Sequence, residues 1–236
     1  MRREYHSWHS PTLGKTMEIL EFGHSGLPIL VFPTSKGKFY EYEDRGMVGV
    51  LADKIENGWL HLWCVDSIDA WSWYDRSIHP HDRARRHDAY EAYLIHEVLP
   101  LIRTRNPLPE LATHGCSFGG FHAINFALKH PDCVTQAVSF GGGFDMASFF
   151  SGVKDGPCYY NLPFDYLPNM NDGWFWDRYQ RIRWILATGE VDICREDNER
   201  LSGLFHAKSI PHQLDVWGDG TGHDWPWWEK MARAYF

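Results

Sequence analysis

The chain has 236 residues, of which 44% are hydrophobic, with a formal net charge of −8 and five cysteines. That length and apolar content suit one large core rather than two domains, and the acidic balance argues against a nucleic-acid surface, which needs a basic face. Cys64, Cys116, Cys133, Cys158 and Cys194 are odd in number and form no C-x-x-C pair, so zinc or redox work is not indicated and reduced, mostly buried thiols are expected.

Residues 1–14 are polar and lack the apolar core of a signal peptide, and no run of 18 apolar residues occurs. A soluble, cytoplasmic protein with no membrane partner is the simplest expectation. Apolar runs bounded by turn residues predict strands at 16–22, 28–32, 61–65, 110–114, 135–140, 184–188 and 213–217. Helical spacing predicts helices over 46–57, 88–103, 121–129, 196–208 and 225–235. The basic cluster Arg83, Arg85 and Arg86, flanked by Asp82, His87 and Asp88, reads as a solvated helix start. The alternation is that of an open, mostly parallel sheet with helices on both faces.

One segment interrupts it. Residues 141–180 are dense in aromatics, from Phe144 to Tyr179, among glycines, prolines and asparagines. A loop of that length within one domain is usually functional, which makes it a candidate cap or pocket wall.

The most informative residues are Gly115-Cys116-Ser117-Phe118-Gly119. Gly-x-Ser-x-Gly lets a strand turn sharply into a helix with the serine exposed at the bend, because the residues two before and two after must be small for strand and helix to pack closely. The flanks agree: a short run precedes the motif, and Phe121, Ile124, Ala127 and Leu128 follow on one helical face. Ser117 is therefore the candidate nucleophile.

A serine hydroxyl needs a histidine in hydrogen-bond reach, itself oriented by a carboxylate. With such an elbow the acid and then the histidine come later in the chain, on loops at the C-terminal ends of strands. Of fourteen histidines, His223 meets this, following the last strand in the turn Gly218-Asp219-Gly220-Thr221-Gly222. Asp192 is the first choice of acid, just beyond the strand at 184–188; Glu190, Asp197 and Asp145 are competitors. The oxyanion donors expected are the N–H of Phe118 and one from the loop Phe32-Pro33-Thr34-Ser35-Lys36-Gly37, where Pro33 has no N–H and Thr34 or Ser35 remains.

With these residues in place, the chain resembles the putative-esterase branch of the α/β-hydrolase superfamily, relatives of S-formylglutathione hydrolase, feruloyl esterases and the antigen 85 mycolyltransferases. The resemblance rests on Gly115-Cys116-Ser117-Phe118-Gly119-Gly120, Gly189-Glu190-Val191-Asp192 and Gly222-His223-Asp224-Trp225-Pro226-Trp227-Trp228, and covers roughly residues 16–236. It implies a single α/β-hydrolase domain over 1–236, with the aromatic-rich excursion after the strand ending near Phe140, the sixth strand of that fold. Ser117, Asp192 and His223 carry over as nucleophile, acid and base of ester hydrolysis through an acyl-enzyme, with no metal or organic cofactor. A His-Gly-Gly oxyanion segment is absent, and Phe32-Pro33-Thr34-Ser35-Lys36-Gly37 stands in its place.

The leading expectation is a serine carboxylesterase for a small or medium ester or thioester, with Trp225, Trp227, Tyr159 and Tyr160 at the substrate pocket. An acyltransferase using the same residues and a non-catalytic binding protein on the same scaffold are the alternatives. The oligomeric state is not fixed by these features.

Overall fold

The apolar runs of the sequence pair into one eight-stranded sheet in a computed structural model that describes residues 1–236. The strands are β1 (Arg3–Ser10), β2 (Lys15–Phe22), β3 (Leu27–Phe32), β4 (Leu60–Val65), β5 (Ala112–Cys116), β6 (Gln136–Phe140), β7 (Arg183–Gly189) and β8 (His212–Trp217). Their order is β1-β2-β4-β3-β5-β6-β7-β8. The hairpin β1–β2 and the pair β2–β4 are antiparallel, and the rest of the sheet is parallel. The chain is thus a single-domain α/β fold with a mostly parallel sheet.

The helices are α1 (Glu41–Asp44), α2 (Met47–Val50), α3 (Ala52–Glu56), α4 (Pro80–Tyr93), α5 (Leu99–Arg105), α6 (Phe118–Lys129), α7 (Gly156–Tyr159), α8 (Pro163–Tyr166), α9 (Gly173–Tyr179), α10 (Arg195–Ala207) and α11 (Trp225–Tyr235). They cover both faces. One core gathers Trp73, Tyr90, Phe121, Phe126 and Trp184, and the other Phe22, Leu62, Phe140 and Trp228. Strands β4 and β5 are buried throughout, which is why they read as continuous runs rather than alternating ones.

Five expectations are corrected. The polar N-terminus forms β1, whose residues alternate in exposure and whose polar groups find partners: His6 Nε2 meets Glu21 Oε2 (2.7 Å), and Trp8 Nε1 and Ser10 Oγ both donate to Glu97 (2.6 and 2.7 Å). Strand β5 starts two residues later than expected. The Arg103 guanidinium donates to the carbonyls of Leu108, Pro109 and Glu110, which holds that stretch outside the sheet. The helix expected from residue 88 begins at Pro80 behind His79, whose ring accepts from the His81 N–H, and passes through a π-helical turn at Leu94–Val98 before α5. Arg83 is therefore no solvated residue but a buried one, donating to the Phe149 carbonyl and to Ser151 Oγ, whereas Arg85 stays exposed beside Asp82. The helix expected over 46–57 is two short ones, α2 and α3, with Leu51 between them.

All five cysteines are free thiols. No helix is long and apolar enough to cross a membrane. The excursion after β6 holds α7, α8 and α9 and packs inward through Phe144, Phe150, Phe164, Leu167 and Tyr179. Its Phe150 ring stacks on Trp73 at 4.7 Å, and Phe149 lies 5.3 Å from Phe118.

Candidate active site

Ser117 sits at the bend between β5 and α6 with φ 54° and ψ −123°, a conformation that side-chain-bearing residues rarely adopt. The flanking glycines explain how the bend closes. A β-carbon on Gly115 would run into the backbone of Gly119, and one on Gly119 would press on the carbonyl oxygens of Phe32 and Pro33. The end of β3 therefore lies directly against the first turn of α6.

His223 Nε2 lies 2.9 Å from Ser117 Oγ, and His223 Nδ1 lies 2.8 Å from Asp192 Oδ1. With the proton on Nδ1 donated to the carboxylate, Nε2 is left to accept from the serine. Asp192 Oδ1 also accepts from the Cys194 N–H at 2.7 Å. Burial pushes the Asp192 carboxyl up, but hydrogen bonds from His223 and the Cys194 amide outweigh it and hold the group below its ordinary value. Gly141, at φ 56°, backs the pair: a β-carbon there would stand 2.5 Å from Asp192 Oδ2 and 3.0 Å from His223 Nδ1.

The loops carrying the acid and the histidine are stitched together. Glu190 N–H donates to the Trp217 carbonyl (2.9 Å), Val191 N–H to that of Thr221 (3.1 Å), and the Glu190 carboxylate accepts from the Gly220 N–H. The rival acids are thus employed elsewhere. Glu190 holds the histidine loop, Asp197 accepts from the N–H groups of Phe144 and Asp145 (2.6 and 2.8 Å), and Asp145 is exposed beside Arg200. The Trp228 ring meets His223 edge-on at 5.0 Å.

In the loop after β3, Thr34 does not offer its amide. That N–H donates to Glu41 Oε2 (2.8 Å) and the Thr34 hydroxyl to Glu41 Oε1 (2.8 Å). Lys36 N–H donates to Asp69 Oδ2 (3.2 Å) and Gly37 N–H to the Thr34 carbonyl (2.8 Å). The Ser35 N–H makes no hydrogen bond. Phe118 supplies the first N–H of α6, which has no intrahelical partner.

The four aromatic residues expected at a pocket separate. Trp225 and Trp227 stand on the first turn of α11 just after His223, Trp225 packed edge-on to Trp228 at 5.0 Å and Trp227 under Lys230 Nζ at 4.1 Å. Tyr159 and Tyr160 instead line a cavity of about 460 Å³ with Lys129, His130 and Tyr179. That cavity lies at the far end of α6, about 17 Å of helix from Ser117 at 1.5 Å per residue. The rings packed on Phe118, the residue after Ser117, are Phe149, from the aromatic excursion expected as a pocket wall, and Tyr74, which the sequence did not single out. Tyr74 and Phe149 lie 5.8 and 5.3 Å from Phe118, Tyr74 Oη donates to Ser35 Oγ (2.8 Å), and Lys36 Nζ lies 4.8 Å over the Tyr74 ring. Glu41, Asp69 and Gly141 were equally unannounced, since no local spacing marks them.

Comparison with known proteins adds the following. Residues 64–191 match the model of the Esterase family, described as "Putative esterase". No curated protein sequence matches the chain. Among solved structures, a ferulic acid esterase superposes with a TM-score of 0.78 at 15% identity, covering 99% of this chain and 96% of its own. The S-formylglutathione hydrolase FrmB of Staphylococcus aureus gives 0.72 at 18% identity, with coverage of 99% and 96%. MPT51 (FbpC1) of Mycobacterium tuberculosis gives 0.73 at 13% identity, again covering 99% and 96%.

Proposed function

Because the chain belongs to the Esterase family, in the putative-esterase branch of the α/β-hydrolase superfamily, and is accordingly an ester hydrolase, we propose that it is a serine carboxylesterase in which Ser117, His223 and Asp192 act as nucleophile, general base and orienting acid. The observation that carries this reading is the continuous line from Ser117 Oγ through His223 to Asp192, with both hydrogen bonds under 3 Å.

The chemistry follows from that line. Ser117 Oγ passes its proton to His223 Nε2 as it bonds to the ester carbonyl carbon, and the C=O electron pair moves onto oxygen. The buried Asp192 carboxylate stabilises the imidazolium that forms and keeps the ring turned toward the serine. The N–H groups of Phe118 and Ser35 receive the oxyanion. As the intermediate collapses, His223 returns the proton to the departing alcohol or thiol, leaving an acyl-Ser117 ester. Water then repeats the sequence with His223 as base, releasing the acid and the free serine.

Tyr74 and Phe149 pack on one another and on Phe118, next to the nucleophile in the chain, and on this reading the three supply the apolar wall for a small or medium acyl or alcohol group. Phe149 comes from the excursion at 141–180, which on this reading serves as a pocket wall. Trp225 and Trp227 flank the histidine side, while Tyr159 and Tyr160 face another cavity. No step calls on a metal or organic cofactor.

The test is intact-mass labelling with a fluorophosphonate probe. One adduct on the wild type and none on Ser117→Ala, followed by loss of hydrolysis of a short nitrophenyl ester in the variant, is the expected result. An adduct of equal yield on Ser117→Ala would remove Ser117 from the mechanism.

A further inference from the structure

Beneath the loop after β3 lies a pair of buried polar side chains for which the reaction above has no direct use. Asp69 Oδ1 lies 3.0 Å from His122 Nε2, and both residues are nearly without exposure, at 2% and 3%. Asp69 comes from the loop after β4, and His122 from the second turn of α6, the helix that Ser117 begins. The His122 ring stacks over Phe32 at 5.8 Å and meets Phe118 edge-on at 4.9 Å.

The other carboxylate oxygen, Oδ2, accepts the N–H of Lys36 at 3.2 Å. Lys36 has φ 55°, a left-handed conformation in which non-glycine residues are uncommon and which surrounding structure must impose. The Asp69 main-chain carbonyl accepts the Tyr74 N–H at 2.9 Å, and Tyr74 Oη donates to Ser35 Oγ. Asp69 thus reaches both sides of Ser35, through the amide of the next residue and through the ring that holds its hydroxyl. The peptide between them carries the one N–H in this turn that no group of the chain accepts.

We propose that Asp69 and His122 are positioning residues that lock the left-handed turn at Lys36 and so aim the Ser35 N–H at the oxyanion. His122 does this from the nucleophile's own helix, so the two halves of the oxyanion site are referenced to one another through a buried carboxylate. This inference rests on the assignment of Ser117 and of the Ser35 amide made above.

The experiment compares a nitrophenyl acetate with its thionoacetate, in which sulfur replaces the carbonyl oxygen. Sulfur accepts hydrogen bonds weakly, so the ratio of the two rates reads the oxyanion donors rather than the general condition of the site. Removing a donor outright lowers kcat by about 10²- to 10³-fold. Misdirecting one through Asp69→Ala is expected to lower oxoester kcat by about 10- to 100-fold with KM within about twofold, and to reduce the oxo/thiono ratio by the same factor. Asp69→Asn retains an oxygen for the Lys36 N–H and an amide for neutral His122, and should restore most of the ratio.

If Asp69→Ala does not fold, as judged by its thermal transition, His122→Ala decides: a three- to tenfold fall in the ratio is expected, and an unchanged ratio overturns the proposal. Equal losses on both esters in a folded Asp69→Ala also overturn it, since that is the signature of a merely structural residue. Full turnover by Ser117→Ala would instead overturn the nucleophile assignment. A dead Ser117→Ala beside undisturbed Asp69 and His122 variants would overturn this inference alone.

Discussion

Gly141 and Asp192 pack with no room between them. The glycine's missing side chain is filled by the carboxylate, and an added β-carbon would stand 2.5 Å from Oδ2, at a backbone φ of 56°. Gly141→Ala therefore combines left-handed strain, worth about 1 kcal/mol, with displacement of Asp192 and His223. We expect kcat/KM to fall by about 10- to 100-fold while Tm falls by only about 2–4 °C. Kinetics and thermal denaturation of the one variant check both, and unaltered kinetics would detach Gly141 from the site.

Ser117 itself holds a conformation that glycine adopts without strain and serine only rarely. Releasing it by Ser117→Gly should raise stability by about 1 kcal/mol, net of the larger entropy of the unfolded glycine, although all turnover is lost. Ser117→Ala keeps the β-carbon and the strain, so it should lose turnover with no such gain. Denaturant midpoints for the wild type and both variants separate the two outcomes.

Asp192→Asn should leave the geometry near His223 in place yet lower kcat by about 10⁴-fold, because the amide favours the wrong tautomer of the imidazole. Asp145→Asn, at an exposed carboxylate facing Arg200, should stay within about twofold of wild type. Steady-state kinetics on one ester would expose the opposite pattern at once, which would move the acid to the loop after β6.

Acid stability should depend on Glu21. Burial pushes its carboxyl up, but His61, His6 and Arg105 hydrogen-bond the ionised form and bring it from 4.5 down to about 2. The unfolded chain therefore takes up this proton near pH 4.5 and the folded chain only near pH 2, so the stabilisation is complete above 4.5 and fades as pH falls through that window. Glu21→Gln should lower Tm by roughly a few degrees at pH 7, with the gap to wild type closing by pH 2 to 3. A gap independent of pH would show that packing, not charge, is what Glu21 contributes.

The parts of this molecule that could be read from its sequence are those set by neighbours along the chain. The elbow at 115–119, the turn before His223 and the last helix are local patterns, and the structure forms α11 over the residues expected, Trp225–Tyr235. The residues that were missed act through tertiary contacts, most of them across long separations. Gly141 is defined by Asp192, Glu41 by Thr34, and Asp69 by both Lys36 and His122, none of which any periodicity could announce. β1 was hidden for a different reason: its polar residues pair with Glu21 and Glu97 instead of presenting an apolar face. Arg83 reads as surface by its type, and is buried because the excursion supplies carbonyl and hydroxyl acceptors over it.

Ser117 is carried by β5, whose five residues are all buried near the middle of the sheet, whereas His223 hangs from β8, an edge strand none of whose residues is fully buried. The nucleophile and its proposed base thus belong to parts of the fold with very different resistance to opening. Peeling β8 and its loop from the edge would part the imidazole from the hydroxyl while both cores stayed shut. Warming should therefore silence the enzyme reversibly at a lower temperature than the one at which its tryptophans reach water.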